Sequence, residues 1–95
     1  MQAFPDGKTP PDPASVLGDL IRSGEAGRLR EAAGISQATM AGGLGIARMT
    51  LCRVENRQQR PGRFLAGRWL RVLRGLANHE AVTKELAAAW RRGAA

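Results

Sequence analysis

Two punctuation signals stand close together near the middle of the chain, Gly34-Ile35-Ser36 and Gly45-Ile46-Ala47, and they leave little freedom to the residues around them. Glycine closes helices readily, because the left-handed turn after the last helical residue meets no Cβ clash. Ser36 carries a hydroxyl that can accept from the N–H groups opening a new helix. The pair therefore predicts one short helix from Gln37 to about Leu44, presenting Met40, Ala41 and Leu44. A second short helix is predicted from about Ala47 to Glu55, presenting Leu51 and Val54. Helices this short are not stable alone in water, so the two must share a core with each other and with the rest of the chain.

The flanks read the same way. Residues 1–13 hold four of the five prolines, with Gly7 and two aspartates, and predict a disordered tail. Val16, Leu17, Leu20 and Ile21 then recur at helical spacing, and Ser23-Gly24 interrupts them. Glu25–Ala33 continues as helix until Gly34. Asn56–Gly62, with Pro61, reads as a loop. Over Arg63–Asn78, Leu65, Trp69, Val72, Leu73 and Leu76 share one face, while Arg63, Arg68, Arg71 and Arg74 lie on an arc opposite. A last helix is expected from about Glu80 to Arg92, with Val82, Leu86, Ala89 and Trp90 at helical spacing and His79 at its start. No segment alternates with period two. The expected fold is all-α, a compact bundle of five or six short helices, with the main domain at 14–78 and residues 79–95 as an added C-terminal element.

Composition removes several classes of function. The 95 residues make one domain with a modest core, and no apolar run is long enough to span a bilayer. The acidic, proline-rich start differs from a secretory leader. One cysteine, Cys52, and one histidine allow neither an intrachain disulfide nor a zinc-ligand spacing. No nucleophile–base pair or phosphate loop is present, so neither catalysis nor a cofactor is expected. A reducing cytoplasm is the expected compartment. The formal net charge is +7, and it is segregated. Residues 1–27 carry Asp6, Asp12, Asp19 and Glu25 against Lys8 and Arg22. Residues 48–74 carry eight arginines against Glu55 alone. A GC-rich genome scatters arginine; it does not sort it, whereas a surface for a polyanion does.

Two short helices joined by a tight glycine turn make a helix-turn-helix, whose second helix enters the DNA major groove by its N-terminal part. Ala47, Arg48, Met49, Thr50 and Arg53 then form the outer face of that helix. Across Arg28–Pro61 the chain resembles the lambda-repressor-like, Xre/Cro family. The resemblance rests on Leu29, Arg30, Gly34, Ile35, Ser36, Gln37, Met40, Ala41, Leu44, Gly45, Ile46, Leu51, Arg53, Val54, Glu55, Asn56 and Pro61. It covers about a third of the chain, and Arg63-Phe64-Leu65 is similar to the start of the family's next helix.

The resemblance implies roles. Gln37 would bond a phosphate, with Asn56, Arg57, Arg60 and Arg63 holding further phosphates after the recognition helix. Arg48, Met49, Thr50 and Arg53 would face base edges. Arg30 and Glu55 match a structural salt bridge. Arg48 is the strongest candidate reader, since a guanidinium bonds guanine O6 and N7 together, worth about 1–3 kcal/mol of discrimination. The chain also departs from the pattern. Ala47 stands where a capping Ser or Thr is usual, a loss of about 1 kcal/mol. Arg57 stands where glycine is common, which leaves Asn56 as the residue expected to take the left-handed turn. Gly42 and Gly43 weaken their helix by up to about 1 kcal/mol each.

The leading expectation is a bacterial or phage transcription regulator that binds double-stranded DNA as a homodimer on a pseudo-palindromic operator, most simply as a repressor. Val82, Leu86 and Trp90 are the candidate dimer surface. The alternative is an antitoxin or coactivator-like module that binds a small partner protein, with or without DNA, through the acidic Asp12–Glu25 segment. For Arg68, Arg71 and Arg74 a solvated face and an additional contact to DNA or an acidic partner both stand. Cys52 reads as a small half-buried residue.

Overall fold

The computed structural model describes residues 12–94, and all regular structure among them is helical. Five helices follow one another: α1 (Pro13–Arg22), α2 (Glu25–Ala32), α3 (Gln37–Leu44), α4 (Arg48–Glu55) and α5 (Arg63–Ala94). Of the tail expected over 1–13, residues 1–11 lie outside the described residues, and its last residue belongs to α1 instead. Pro13 is already helical, because its fixed φ and missing N–H suit the first helical position.

Hydrophobic burial gathers the helices around one core. Leu17 of α1, Leu51 and Val54 of α4, and Ala66, Trp69 and Leu73 of α5 are almost fully removed from solvent. Ala26 and Leu29 of α2, with Met40, Ala41 and Leu44 of α3, complete the cluster. α1 lies against α5 and α2, while α3 packs on α4. Ala41, nearly inaccessible, is the small residue that keeps the α3–α4 pair close.

Three helices end in the same way. After α2 the Ile35 N–H donates to the Arg30 carbonyl and the Gly34 N–H to that of Glu31. After α3 the Ile46 N–H donates to Ala41 and the Gly45 N–H to Gly42. After α4 the Gln58 N–H donates to Arg53 and the Arg57 N–H to Val54. This is the Schellman arrangement, which needs a left-handed residue just past the helix end. Gly34 and Gly45 supply it at φ 72° each; after α4 it is Arg57, at φ 64°. Asn56, expected to take that conformation, stays at φ −89°. Asn56 is the C-cap residue, and the bond pattern requires the left-handed turn one position later.

The C-terminal region departs from expectation in two respects. The two helices expected over 63–78 and 80–92 are one continuous helix, and His79 lies in its interior. Asn78 is a mediocre helix former but neither a proline nor a left-handed glycine, so nothing forces a break. At 1.5 Å per residue α5 is about 48 Å long, which matches the longest extent of the molecule, 49 Å. Its buried face is also rotated from the expected one. Ala66 and Leu70 are buried with Trp69 and Leu73, whereas Val72 is exposed and Leu65 and Leu76 are only partly covered.

An ionic clamp holds α5 to α2. The Arg28 guanidinium donates to both Glu80 oxygens at 3.1 Å and also to Glu25. Its hydrogen bonds hold the Glu25 and Glu80 carboxyls below the usual carboxylate range, and those to Glu25 and then Glu80 raise the pKa of Arg28 itself. A carboxyl with a lowered folded-state pKa stabilises the fold above its ordinary value near 4.5 and loses that contribution as pH falls through the lowered one. Acid titration followed by thermal melting should therefore show a loss of stability below about pH 4 that is smaller in Glu80→Gln; an identical acid limb in the variant would exclude the clamp as its source.

Candidate nucleic-acid interface

The unit formed by α3, the turn Gly45–Ala47 and α4 is tied together by one carboxylate. Glu55, at the last position of α4, accepts from Arg30 Nε at 2.9 Å and Arg30 Nη2 at 3.3 Å. It also accepts from Gln37 Nε2, at the first position of α3, at 3.0 Å. Arg30 sends its remaining nitrogen, Nη1, to the Ile35 carbonyl at 2.9 Å. The Arg30 and Glu55 side chains are only 10% and 12% exposed. One network thus joins α2, the α2–α3 connection, the start of α3 and the end of α4. The Arg30–Glu55 pair implied by the resemblance is formed, and Gln37 joins it. An amide nitrogen carries two hydrogens, so Gln37 keeps one donor for a second acceptor.

With α4 fixed by its buried side, its opposite side faces outward. Arg48, Met49 and Arg53 are exposed, and Thr50 is half-buried. Ser36 caps α3 by accepting from the Thr39 N–H at 3.1 Å. Ala47 gives α4 no side-chain cap, as its methyl dictates. Asn56, Arg57 and Arg60 are exposed on the loop after α4, and Arg63 opens α5. Asn56 donates through Nδ2 to Cys52 Sγ at 3.3 Å. Cys52 is half-buried, as expected. The candidate base-facing and phosphate-facing residues therefore lie on one continuous stretch, the outer side of α4 and the loop leading from it, and Gln37 approaches that stretch from α3 through Glu55.

The electrostatics of the two halves differ. In α1 and α2 each arginine has an acid: Arg22 pairs with Asp19, Arg28 with Glu25 and Glu80, and Arg30 with Glu55. From Arg48 to Arg74, none of the eight arginines forms an ion pair among the described residues. The uncompensated charge lies on α4, the following loop and the first half of α5. Phe64, 85% exposed, stands within this charge. Its place on the arginine arc follows from the spacing of Phe64, Arg68 and Arg71. Among the described residues there is no cluster of metal-ligating side chains, and no helix is long and apolar enough to cross a membrane.

No family model, curated protein or solved structure matches the chain.

Two substitutions test this framework. Arg30→Ala leaves the Glu55 carboxylate in a nearly closed site with Gln37 alone, and should lower the unfolding free energy by about 3 kcal/mol. A loss under about 1 kcal/mol in urea titration would show that the pair is solvated. Arg57→Gly removes a left-handed arginine, worth about 1–2 kcal/mol, against the greater chain entropy of glycine, about 0.5–1 kcal/mol. The net expectation is a slightly more stable protein; a destabilised one would show that the Arg57 side chain holds the loop by contacts of its own.

Proposed function

We propose that this chain is a sequence-specific double-stranded DNA-binding transcription regulator that acts as a homodimer on a pseudo-palindromic operator, most simply by occluding a promoter. The observation that carries the reading is the run of arginines on and after α4 that have no acid partner among the described residues, set on a short helix whose last residue, Glu55, is clamped by Arg30 and Gln37. An unpaired cationic surface is the electrostatic footprint of a polyanion, and a rigidly held short helix is the element that a major groove admits.

In this reading α4 is the recognition helix of a helix-turn-helix. Arg48, at its first turn, donates to guanine O6 and N7. Met49 contacts a thymine methyl, and Thr50 and Arg53 follow along the same side. Gln37, Asn56, Arg57, Arg60 and Arg63 hold phosphates on either side of the groove and set the register. Arg57 adds a separate argument. It keeps a backbone conformation that glycine adopts more easily, and a strained residue retained at the edge of a surface is a sign of use for its side chain. The partner-protein reading, through the acidic segment Asp12–Glu25, gains less support, because Asp19 and Glu25 are already paired with Arg22 and Arg28.

Selection from a random DNA pool at near-physiological salt tests the proposal. The expected result is one enriched palindrome with half-sites about 10 bp apart or a multiple of that. Arg48→Ala should relax preference at a single base pair by about 1–3 kcal/mol. Arg60→Ala should weaken binding to all sequences alike and reduce the salt slope by about one. Binding without enrichment would reduce the function to non-specific polyanion binding, and no binding would reject it.

A further inference from the structure

The last third of α5 has no partner among the described residues. Beyond Glu80, which Arg28 clamps, every residue through Gly93 is exposed except the half-buried Ala88. These turns extend an already nucleated helix and are rich in good helix formers, so they form without a partner; what calls for one is the character of their surface. One face is apolar. Val82, Leu86, Ala89 and Gly93 follow each other at steps of four, three and four residues, with Trp90 beside them. Val82 is 43%, Leu86 66% and Trp90 77% exposed. Leu86, Ala89, Trp90 and Gly93 line a shallow apolar depression.

We infer that this face is covered by the same face of a second copy of the chain, with the two helices antiparallel. Steps of four and three are the seam of a paired helix, in which large side chains enter gaps on the facing helix. Along the stripe the large residues, Val82 and Leu86, come first and the small ones, Ala89 and Gly93, follow. Run antiparallel about a two-fold axis between Leu86 and Ala89, each Leu86 meets the other copy's Ala89 and each Val82 its Gly93. Large side chains then fill the places of small ones at every layer. A parallel pair would stack Leu86 on Leu86 and Gly93 on Gly93, leaving gaps.

Charge agrees with the antiparallel choice. Glu85 and Arg92 flank the seam on the same side, seven residues apart. In the antiparallel pair each Glu85 lies across from the other copy's Arg92, twice over by symmetry. In the parallel pair Glu85 faces the uncharged Trp90 position. A face of four residues with Trp90 beside it is small against the roughly 1,200 Å² of total surface that stable complexes bury. The dimer is therefore a reversible one, whose population depends on concentration.

This interface deepens the homodimer part of the proposed function and needs no DNA to be tested. Sedimentation of the full chain from nanomolar to millimolar concentration should show a monomer–dimer equilibrium. Leu86→Glu should weaken it at least tenfold with unchanged helical circular dichroism. Glu85→Arg and Arg92→Glu should each weaken dimerisation several-fold, and the double variant should recover most of the loss. In a Cys52→Ser background, Val82→Cys/Gly93→Cys should cross-link between copies on oxidation and Ala89→Cys should not. A monomer at every concentration would overturn the proposal, as would cross-linking by Ala89→Cys or a double charge variant as weak as the singles. If DNA selection fails while the dimer forms, the DNA reading falls and the interface stands.

Discussion

The arrangement of this small domain depends on where Glu55 is held. It is the last residue of an eight-residue helix, too short to keep its own orientation, and it is gripped by Arg30 from α2 and Gln37 from α3. Hydrophobic contacts between α3 and α4 bring the helices together but are not directional. A planar guanidinium that bonds a carboxylate through two nitrogens, and a backbone carbonyl through a third, is directional. The network thus adds a bearing to an association that the core alone would leave loose, and the outward side of α4 inherits that bearing.

Much of this was legible in the sequence, for local reasons. Gly34, Ser36 and Gly45 act within a few residues of themselves, so the short helices fall close to where their signals place them. The Arg30–Glu55 pair was carried by the resemblance, since nothing in the spacing of two residues so far apart says that they meet. The left-handed position after α4 was misplaced by one residue, because asparagine is the usual substitute for glycine there and the hydrogen-bond pattern outranks that preference. In α5 the polar residues Asn78, His79 and Glu80 read as a boundary, yet a helix ends for want of geometry and not for want of apolar residues. The rotation that buries Ala66 and Leu70 and exposes Val72 follows from how α1 lies across α5, a tertiary fact that periodicity does not contain.

The partition of charge is a second organising fact. The arginines of α1 and α2 are consumed inside the domain, in contacts that join neighbouring turns or neighbouring helices. Those from Arg48 to Arg74 form no ion pair among the described residues, and their mutual repulsion opposes compaction. That cost falls on a domain with few buried side chains and two exposed glycines, Gly42 and Gly43, in α3. An anion that neutralises the surface would relieve it, so binding and folding stability draw on the same charges.

The unbroken course of α5 has a geometric consequence. A helix is a rigid ruler as well as a packing surface, and this one begins beside the loop that leaves α4 and ends far outside the bundle. Whatever sits on its far end is held at a set distance and a set angular phase from α4. Each residue added to or removed from the exposed part would turn that end by about 100° and shift it by about 1.5 Å. Length there is therefore constrained as tightly as identity is in the core, even though almost every side chain along it is bathed in solvent.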